Sequence, residues 1–379
     1  MRNLKLSAAA LVVAATASAV SAAAPEYVFH VSVDGLRPDA ITTLGPASAP
    51  NFYKFRTQGA FTDNARTDVD YTITLPNHTT QLTGRPVLDR FGANSGHRYT
   101  NNTDPASNTT LASNAGYYIA SAFDVAHDNG LKTAMYATKS KFVLYNQTYS
   151  ATNGALDLTG TDNGRKKIDV YVNPNQNSTS MMTSLLSNMG NAATRTNYTF
   201  VHFHDPDTAG HANTWDVTEP PEAAYLTAVR NVDSYLGQLF NLIQNDATLN
   251  GRSTILLTAD HGGELGTGNH FDQTSAQDYT IPFYAWGTGV GQGDLYAMNA
   301  GRRSSPGGLQ PSYTAAGLQP IRNGDIANLS LSMLGLGAVP GSSINASQNL
   351  TVVPEPSSVA VAAIASGLLA LRRRRGATL

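Results

Sequence analysis

The chain has 379 residues, 41% of them hydrophobic, and a formal net charge of −2. That suffices for one large or two modest domains with a buried core, and it supplies no bulk electrostatic pull toward nucleic acid. Cysteine is absent, which excludes disulfides, thiolate metal sites and cysteine nucleophiles. In chain order, residues 1–24 come first, with a basic start (Arg2, Lys5), an apolar middle and small residues near Ser21. This is a signal-peptide layout. "YVFHVSV" (27–33) then reads as a strand ending at Asp34-Gly35. "APNFYKFRTQGA" (49–60) has helical spacing at Phe52 and Phe55, with Gly59 as its stop. "YTITLPNHTT" (71–80) reads as a strand end broken by a turn at Pro76-Asn77. "AFDVAHDNG" (122–130) is a helix closed by Gly130, followed by a strand, "LKTAMYAT" (131–138), and by a further strand, "YTFVHFH" (198–204).

Tyr225, Val229, Val232, Leu236, Leu239, Phe240 and Ile243 mark one face of a long helix. "STILLTA" (253–259) and "IPFYAW" (281–286) are two more buried strands. The alternation predicts an α/β domain over residues 25–349, with a mostly parallel central sheet, helices on both faces and a small loop-rich cap. Residues 94–110 supply that cap, and residues 287–318 form a second irregular stretch. The tail, 350–379, contains Pro354-Glu355-Pro356, an apolar run of 15 residues (357–371) and Arg372 to Arg375. The run is shorter than the roughly 20 residues that span a bilayer comfortably. Those three elements in that order resemble the PEP-CTERM sorting signal. The resemblance implies a Gram-negative bacterium, export to the cell surface or extracellular matrix, transient membrane anchoring and processing by an exosortase-type enzyme.

Ligands of open parallel sheets sit beyond the carboxyl ends of the strands. After the first strand comes Asp34. After "YTFVHFH" come Asp207 and His211, four apart. After "STILLTA" come Asp260 and His261, and His270 follows nine residues later. Three carboxylates and three imidazoles thus converge on one edge, and they are typical oxygen and nitrogen ligands for zinc. Taken singly, an aspartate at a strand end is a turn former and a lone histidine a core residue. His30, His202 and His204 in strands and His127 in a helix take that structural reading. Asp205 competes with Asp207, but Asp207 has the four-residue spacing to His211.

"VSVDGLRPD", "TLPNHTTQLTGRP", "PDTAGH", "TADHGG" and "GNH...IPFYAWG" occur in this order. Together they resemble the alkaline phosphatase superfamily, in its type I phosphodiesterase/nucleotide pyrophosphatase branch. The resemblance implies two divalent metal ions, normally Zn²⁺, and a threonine nucleophile. One metal would be held by Asp34, Asp260, His261 and the nucleophile oxygen, the other by Asp207, His211 and His270. The threonine before x-Pro-Asn-His is Thr74, the expected nucleophile; Thr72, Thr79 and Thr80 take the structural reading, and His78 orders the turn instead of binding metal. A threonine hydroxyl is almost wholly protonated near neutral pH, and coordination to a divalent cation lowers its pKa by many units. Attack on a phosphate ester would give a covalent phosphothreonine, resolved by water.

The family also places an asparagine amide on the phosphoryl oxygens, and here Asn102, with Asn101 beside it, is the candidate; its other reading is a turn residue in a polar loop. Lys139 and Lys141 follow a strand. Lys139 is the candidate for neutralising a monoester dianion, while Lys141 reads as a solvated loop lysine. Many nucleotide pyrophosphatases carry a long insertion where His261 and His270 here stand nine apart, so their nucleotide-binding portion does not carry over. Sulfate ester hydrolysis is disfavoured, because Thr74 lacks a Cys/Ser-x-Pro-x-Arg context. The reading is therefore an exported phosphodiesterase or phosphomonoesterase acting on a small phosphate ester. The alternatives are a phosphonate (C–P) hydrolase of the same superfamily and a non-catalytic, metal-stabilised surface or matrix protein.

Overall fold

The apolar run at 27–33 forms β1, Tyr27–Val33, buried at every position but its first. A computed structural model describes residues 24–159, 164–218 and 223–353. Residues 1–23 and 354–379, which hold nearly all of the two expected sorting segments, lie outside the described residues. The other strands are β2 (Ala60–Arg66), β3 (Thr133–Tyr136), β4 (Val170–Val172), β5 (Tyr198–Phe203), β6 (Ser253–Thr258), β7 (Thr280–Gly287) and β8 (Gly293–Asp294). They build one sheet in the order β4-β3-β5-β1-β6-β7-β2-β8. β4, β3, β5, β1 and β6 run parallel, with Val28 opposite Tyr198 on one side and Thr254 on the other. β7 runs antiparallel to both β6 and β2. The expected mostly parallel α/β sheet is the observed one.

Strands buried on both faces need no polar alternation, which is why β1, β5 and β6 read as continuous apolar runs. One apolar cluster lies on the face covered by the helices Pro38–Ser48, Pro50–Gln58, Ser178–Gly190 and Ala224–Asn245. The other lies under Thr74–Thr83, Ala122–Asp128 and Asp325–Met333. All seven positions expected on the apolar face of the long helix are buried in Ala224–Asn245. Residues 94–110 contain no helix or strand, whereas the irregular stretch at 287–318 includes β8 and a short helix, Leu295–Met298.

Pro76-Asn77 is not a turn: it belongs to the first turn of the helix Thr74–Thr83. Proline is tolerated there because a first-turn N–H has no intrahelical partner to lose. Asn77 ties the helix to the approaching chain, its Nδ2 donating to Tyr71 O at 2.6 Å and its Oδ1 accepting from Asp68 N at 2.9 Å.

Candidate active site

The carboxyl ends of β3, β5, β1 and β6 lie side by side, so the residues just beyond them share one edge. Lys139 follows β3, Asp207 and His211 sit on the helix Asp205–Asn213 after β5, Asp34 follows β1, and Asp260 and His261 follow β6. His270 enters from the loop before β7, and Thr74 opens its helix after β2.

Asp207, His211 and His270 present one potential ligand atom each, all within 4.8 Å of one another; Asp34, Asp207 and His261 form a second such group. His261 Nε2 lies 3.4 Å from Asp34 Oδ1, 3.1 Å from Asp260 Oδ2 and 3.7 Å from Asp207 Oδ1. His211 and His270 bring Nε2 to 3.4 and 3.6 Å of Asp207 Oδ1. The rings of His261 and His270 stack with centroids 3.5 Å apart, which joins the two groups.

The tautomers follow from the other ring nitrogens. Nδ1 of His211, His261 and His270 faces the carbonyls of Gly268, Gly262 and Thr72 at 2.6, 2.8 and 2.5 Å. A carbonyl only accepts, so each Nδ1 carries the proton and each Nε2 turns a lone pair toward the carboxylates. Asp34 Oδ1, Asp207 Oδ1, Asp260 Oδ2 and His261 Nε2 are buried and have no hydrogen-bond partner among the described residues. Lone pairs facing lone pairs in a buried space repel unless a cation lies between them. The donor set therefore fits divalent cations, with oxygen and neutral imidazole as ligand types.

Charge points the same way. Asp34, Asp207 and Asp260 are opposed by one ammonium, that of Lys139, which lies 2.7 Å from Asp34 Oδ2 and 2.5 Å from Asp207 Oδ2. Burial works against the charge on Asp34, but the Lys139 ammonium, then the His202 imidazole, hold its carboxyl well below the usual range. Burial and then the neighbouring Asp34 charge press upward on Asp207, yet Lys139 brings it below the usual range. Burial pushes Asp260 well up, and the charges of Asp34 and Asp207 reinforce that. Burial lowers His261 and His270, while the nearby Asp207 carboxylate raises His211.

The third acid–histidine group, Asp34, His78 and His202, is of another kind. His78 Nδ1 donates to Thr74 O at 2.8 Å and its Nε2 faces Ser32 Oγ at 2.9 Å, so both nitrogens are spent on holding the helix Thr74–Thr83 against β1. His202 Nδ1 accepts from Thr138 N at 3.3 Å, leaving Nε2–H to donate to Asp34 Oδ2 at 2.9 Å. A strand pattern alone makes His202 a core histidine. It is buried, but it also orients a candidate ligand, and nothing in a strand pattern marks which histidine lies level with the neighbouring strand's terminal aspartate.

Thr74 is the buried first residue of its helix. With Asn102, Lys139, Lys141, Asp207, His211 and Phe271 it lines a cleft of ≈ 330 Å³. Asn102 Oδ1 accepts from Leu75 N at 3.0 Å, which aims the amide Nδ2 away from that anchor and toward neighbouring space. Asn101 instead closes a local turn onto Thr103 and is exposed. Lys141 is not a solvated loop lysine: its ammonium donates to Asn102 O at 2.7 Å and to Oδ1 at 3.3 Å. A second hollow of ≈ 680 Å³, lined by Asp70, Tyr71, Thr72, Ile73, Thr103 and Gln273, shares Asn102 and Phe271 with the cleft. Thr72, Thr79 and Thr80 spend their hydroxyls on internal partners, as expected for structural threonines.

Trp215, unremarked in the sequence, lies fully buried among these ligands. Its only sequence signal is a bulky apolar residue four positions after His211, inside a polar loop.

Murine ectonucleotide pyrophosphatase/phosphodiesterase 5, solved as an inactive form in complex with AMP, superposes with a TM-score of 0.53 at 16% identity, over 86% of this chain and 99% of that one. A 2-O GAG sulfatase gives 0.52 at 10%, over 85% and 73%. A protein in the alkaline phosphatase superfamily from Vibrio parahaemolyticus gives 0.51 at 11%, over 85% and 69%. At such identities the likeness is one of fold. No curated protein matches. The family model for type I phosphodiesterase / nucleotide pyrophosphatase matches residues 28–280, a span that runs from β1 through all the candidate ligands to the start of β7, and the chain belongs to that family of hydrolases.

Proposed function

We propose that this chain is an exported two-metal phosphoric ester hydrolase that works through a covalent phosphothreonine on Thr74. The observation that carries the reading is the set of four buried, unpartnered ligand atoms on Asp34, Asp207, Asp260 and His261 beside the cleft that Thr74 lines. Asp34, Asp260, His261 and Thr74 would hold one metal, and Asp207, His211 and His270 the other, most simply both Zn²⁺. Bound there, the metals lower the pKa of the threonine hydroxyl and neutralise charge on the phosphoryl group and the departing oxygen.

The chain's own residues do the rest. Thr74 Oγ1 gives up its proton to solvent and forms the new bond to phosphorus as the bond to the alcohol oxygen breaks. The alcohol leaves with a proton from water, and a second water attacks phosphorus to free Thr74 and release phosphate from a monoester or a phosphate monoester from a diester. The start of the helix Thr74–Thr83 favours the negative phosphoryl group, since helix N-termini carry partial positive charge. Asn102 Nδ2 donates to a phosphoryl oxygen, with Lys141 and Leu75 N holding its carbonyl in place. Lys139 restrains Asp34 and Asp207 and adds positive charge to the cleft wall.

Substrate class follows from where the charges lie. Both ammoniums line the cleft, whereas the adjoining hollow offers Tyr71, Ile73 and Phe271 and has no cation in its lining. Its one acid, Asp70, is already paired with Arg90. The phosphoryl group belongs in the cleft and an uncharged organic part of the ester in the hollow. The AMP bound by the murine relative is a phosphate ester of this general kind.

For location, residues 1–24 would direct export. Residues 350–379 would act as a PEP-CTERM segment, anchoring the chain transiently until an exosortase-type enzyme processes it, with 25–349 as the catalytic domain.

The test is a side-by-side assay of purified protein on an aryl phosphate monoester, an aryl phosphodiester and a nucleotide, with zinc content measured on the same samples. Thr74→Ala should retain the fold and lose turnover on all three. Full activity in Thr74→Ala, or a chain that takes up no metal, would overturn the assignment. Lys139→Ala separates the ester classes: a selective loss on the monoester places Lys139 on the phosphoryl group, and an equal loss on all substrates leaves it a ligand-holding residue.

A further inference from the structure

We infer that Trp215 is the positioning residue of the metal site, an inference that rests on the two-metal reading above. The indole stands where three glycines lack a side chain. A Cβ built on Gly35 would lie 2.6 Å from Trp215 Cζ3; built on Gly210 or Gly263 it would lie 2.4 or 2.0 Å from Cδ2. Real Cβ atoms do not approach that closely, so the ring needs glycine at all three places. Each of these glycines adjoins a candidate ligand. Gly35 follows Asp34, Gly210 precedes His211, and Gly263 comes two residues after His261. The three segments come from the end of β1, from the helix Asp205–Asn213 and from the loop after β6, and one side chain packs against all of them.

The imidazoles close around the same ring. His211, His270 and His261 have centroids 5.7, 5.9 and 6.2 Å from it, each meeting the indole at a steep angle. Tyr225 packs on it at 5.4 Å and donates its hydroxyl to Gly35 O at 2.6 Å, which locks the first glycine from behind. Thr214 and Trp215 are consecutive residues with φ of 57°. Left-handed backbone at non-glycine residues is held only where packing over-determines it.

A metal tolerates ligand displacement of only a fraction of an ångström, so the body that sets the spacing between ligand segments sets affinity. Three glycines and one tryptophan do this by contact alone: removing the ring lets the segments drift, and adding a methyl group to a glycine pushes the ring into the imidazoles. Gly210 makes the point in isolation. It lies within a helix, where alanine is intrinsically the better residue, so any harm from Gly210→Ala is due to the indole.

The experiment measures Zn²⁺ affinity of the full chain by competition with a chromophoric chelator, alongside circular-dichroism melts of the metal-free proteins. Trp215→Phe should melt cooperatively and bind Zn²⁺ at least about tenfold more weakly, the scale on which supporting residues act on metal affinity. Gly210→Ala should also weaken binding, and the double variant Trp215→Phe/Gly210→Ala should regain part of that loss because the smaller ring leaves room for the methyl. A tryptophan that merely fills space would lower the melting temperature and leave the affinity where it was. Folded Trp215→Phe and Gly210→Ala proteins that bind Zn²⁺ within about twofold of the unaltered chain would overturn the inference. Should Trp215→Phe fail to melt cooperatively, the Gly210→Ala affinity decides alone. An unaltered chain that binds no Zn²⁺ marks failure of the two-metal reading itself, which keeps the two failures apart.

Discussion

Two histidines outside the candidate site set an acid limit on the fold. His30 is fully buried in β1, with its Nδ1 2.8 Å from the Tyr198 hydroxyl and its Nε2 3.3 Å from Gln81 Oε1. Burial pushes its pKa down to about 3, against a smaller opposing effect of the Gln81 hydrogen bond. His97, buried against Thr80, is pushed down to about 3 by the same cause. In the unfolded chain both titrate near 6.5. Between those two values the unfolded state binds more protons than the folded one, so stability rises with pH across the window and is lost as pH falls through it. From pH 7 to pH 5, an imidazole with an unfolded pKa near 6.5 and a folded pKa near 3 removes about 1.9 kcal/mol. The pair removes roughly 4 kcal/mol, a large part of the roughly 5–15 kcal/mol that holds a domain folded. The assay is urea unfolding at pH 7 and pH 5, in chelator so that metal release enters neither curve, on the unaltered chain and on His30→Gln. Glutamine stays neutral at both pH values. The variant should lose roughly 1–3 kcal/mol at pH 7 through poorer packing against Phe200, whose ring lies 4.9 Å away. Its further loss on going to pH 5 should be smaller than that of the unaltered chain by about 1.9 kcal/mol. Equal pH-dependent losses in the two proteins refute the reasoning, because they would mean that His30 gains no proton on unfolding.

Further outcomes follow from the site. Lys139→Met leaves Asp34 and Asp207 without their ammonium, so the metal-free protein should lose about 3–5 kcal/mol of stability in urea, and saturating Zn²⁺ should restore most of it by supplying the missing positive charge. Chelation of the unaltered chain should abolish ester hydrolysis and lower its melting temperature, with both recovered on adding Zn²⁺; activity that survives exhaustive chelation contradicts the two-metal reading. His202→Phe removes the donor to Asp34 Oδ2 and should weaken Zn²⁺ binding by about 10- to 100-fold in a competition assay. Phe271→Ala removes an exposed aromatic wall shared by the cleft and the hollow. It should raise KM for aryl phosphodiesters by about 5- to 10-fold, with kcat nearly unchanged, the scale of one lost aromatic contact.

What could be read from the sequence divides along a physical line. Strands buried on both faces announce themselves as apolar runs, and the rule that ligands gather beyond parallel strand ends led from those runs to Asp34, Asp207, Asp260 and His261. β2 gave no such signal. Its sequence, AFTDNAR, is half polar because the strand lies near the sheet's edge and carries an irregularity between Thr62 and Ala65. The stretch after β7 hid its order for a different reason. Arg66 and Arg322 are almost wholly buried and hold residues 307–311 through backbone carbonyls, Arg66 Nη2 to Gly307 O at 2.6 Å and Nε to Leu309 O at 2.8 Å, and Arg322 Nη2 to Pro311 O. A carbonyl is present at every residue, so no side-chain pattern reveals which ones an arginine will take. Lys141 was misread on the same ground, since its main partner is the Asn102 carbonyl. Trp215 and His202 escaped because their roles depend on what is absent or adjacent in space: three missing Cβ atoms for one, the end of a neighbouring strand for the other. Residue types that carry chemistry can be recognised by kind and spacing. Those that hold them in place are recognised only by contact, and in this chain the contacts converge on the Trp215 indole and the His202 imidazole.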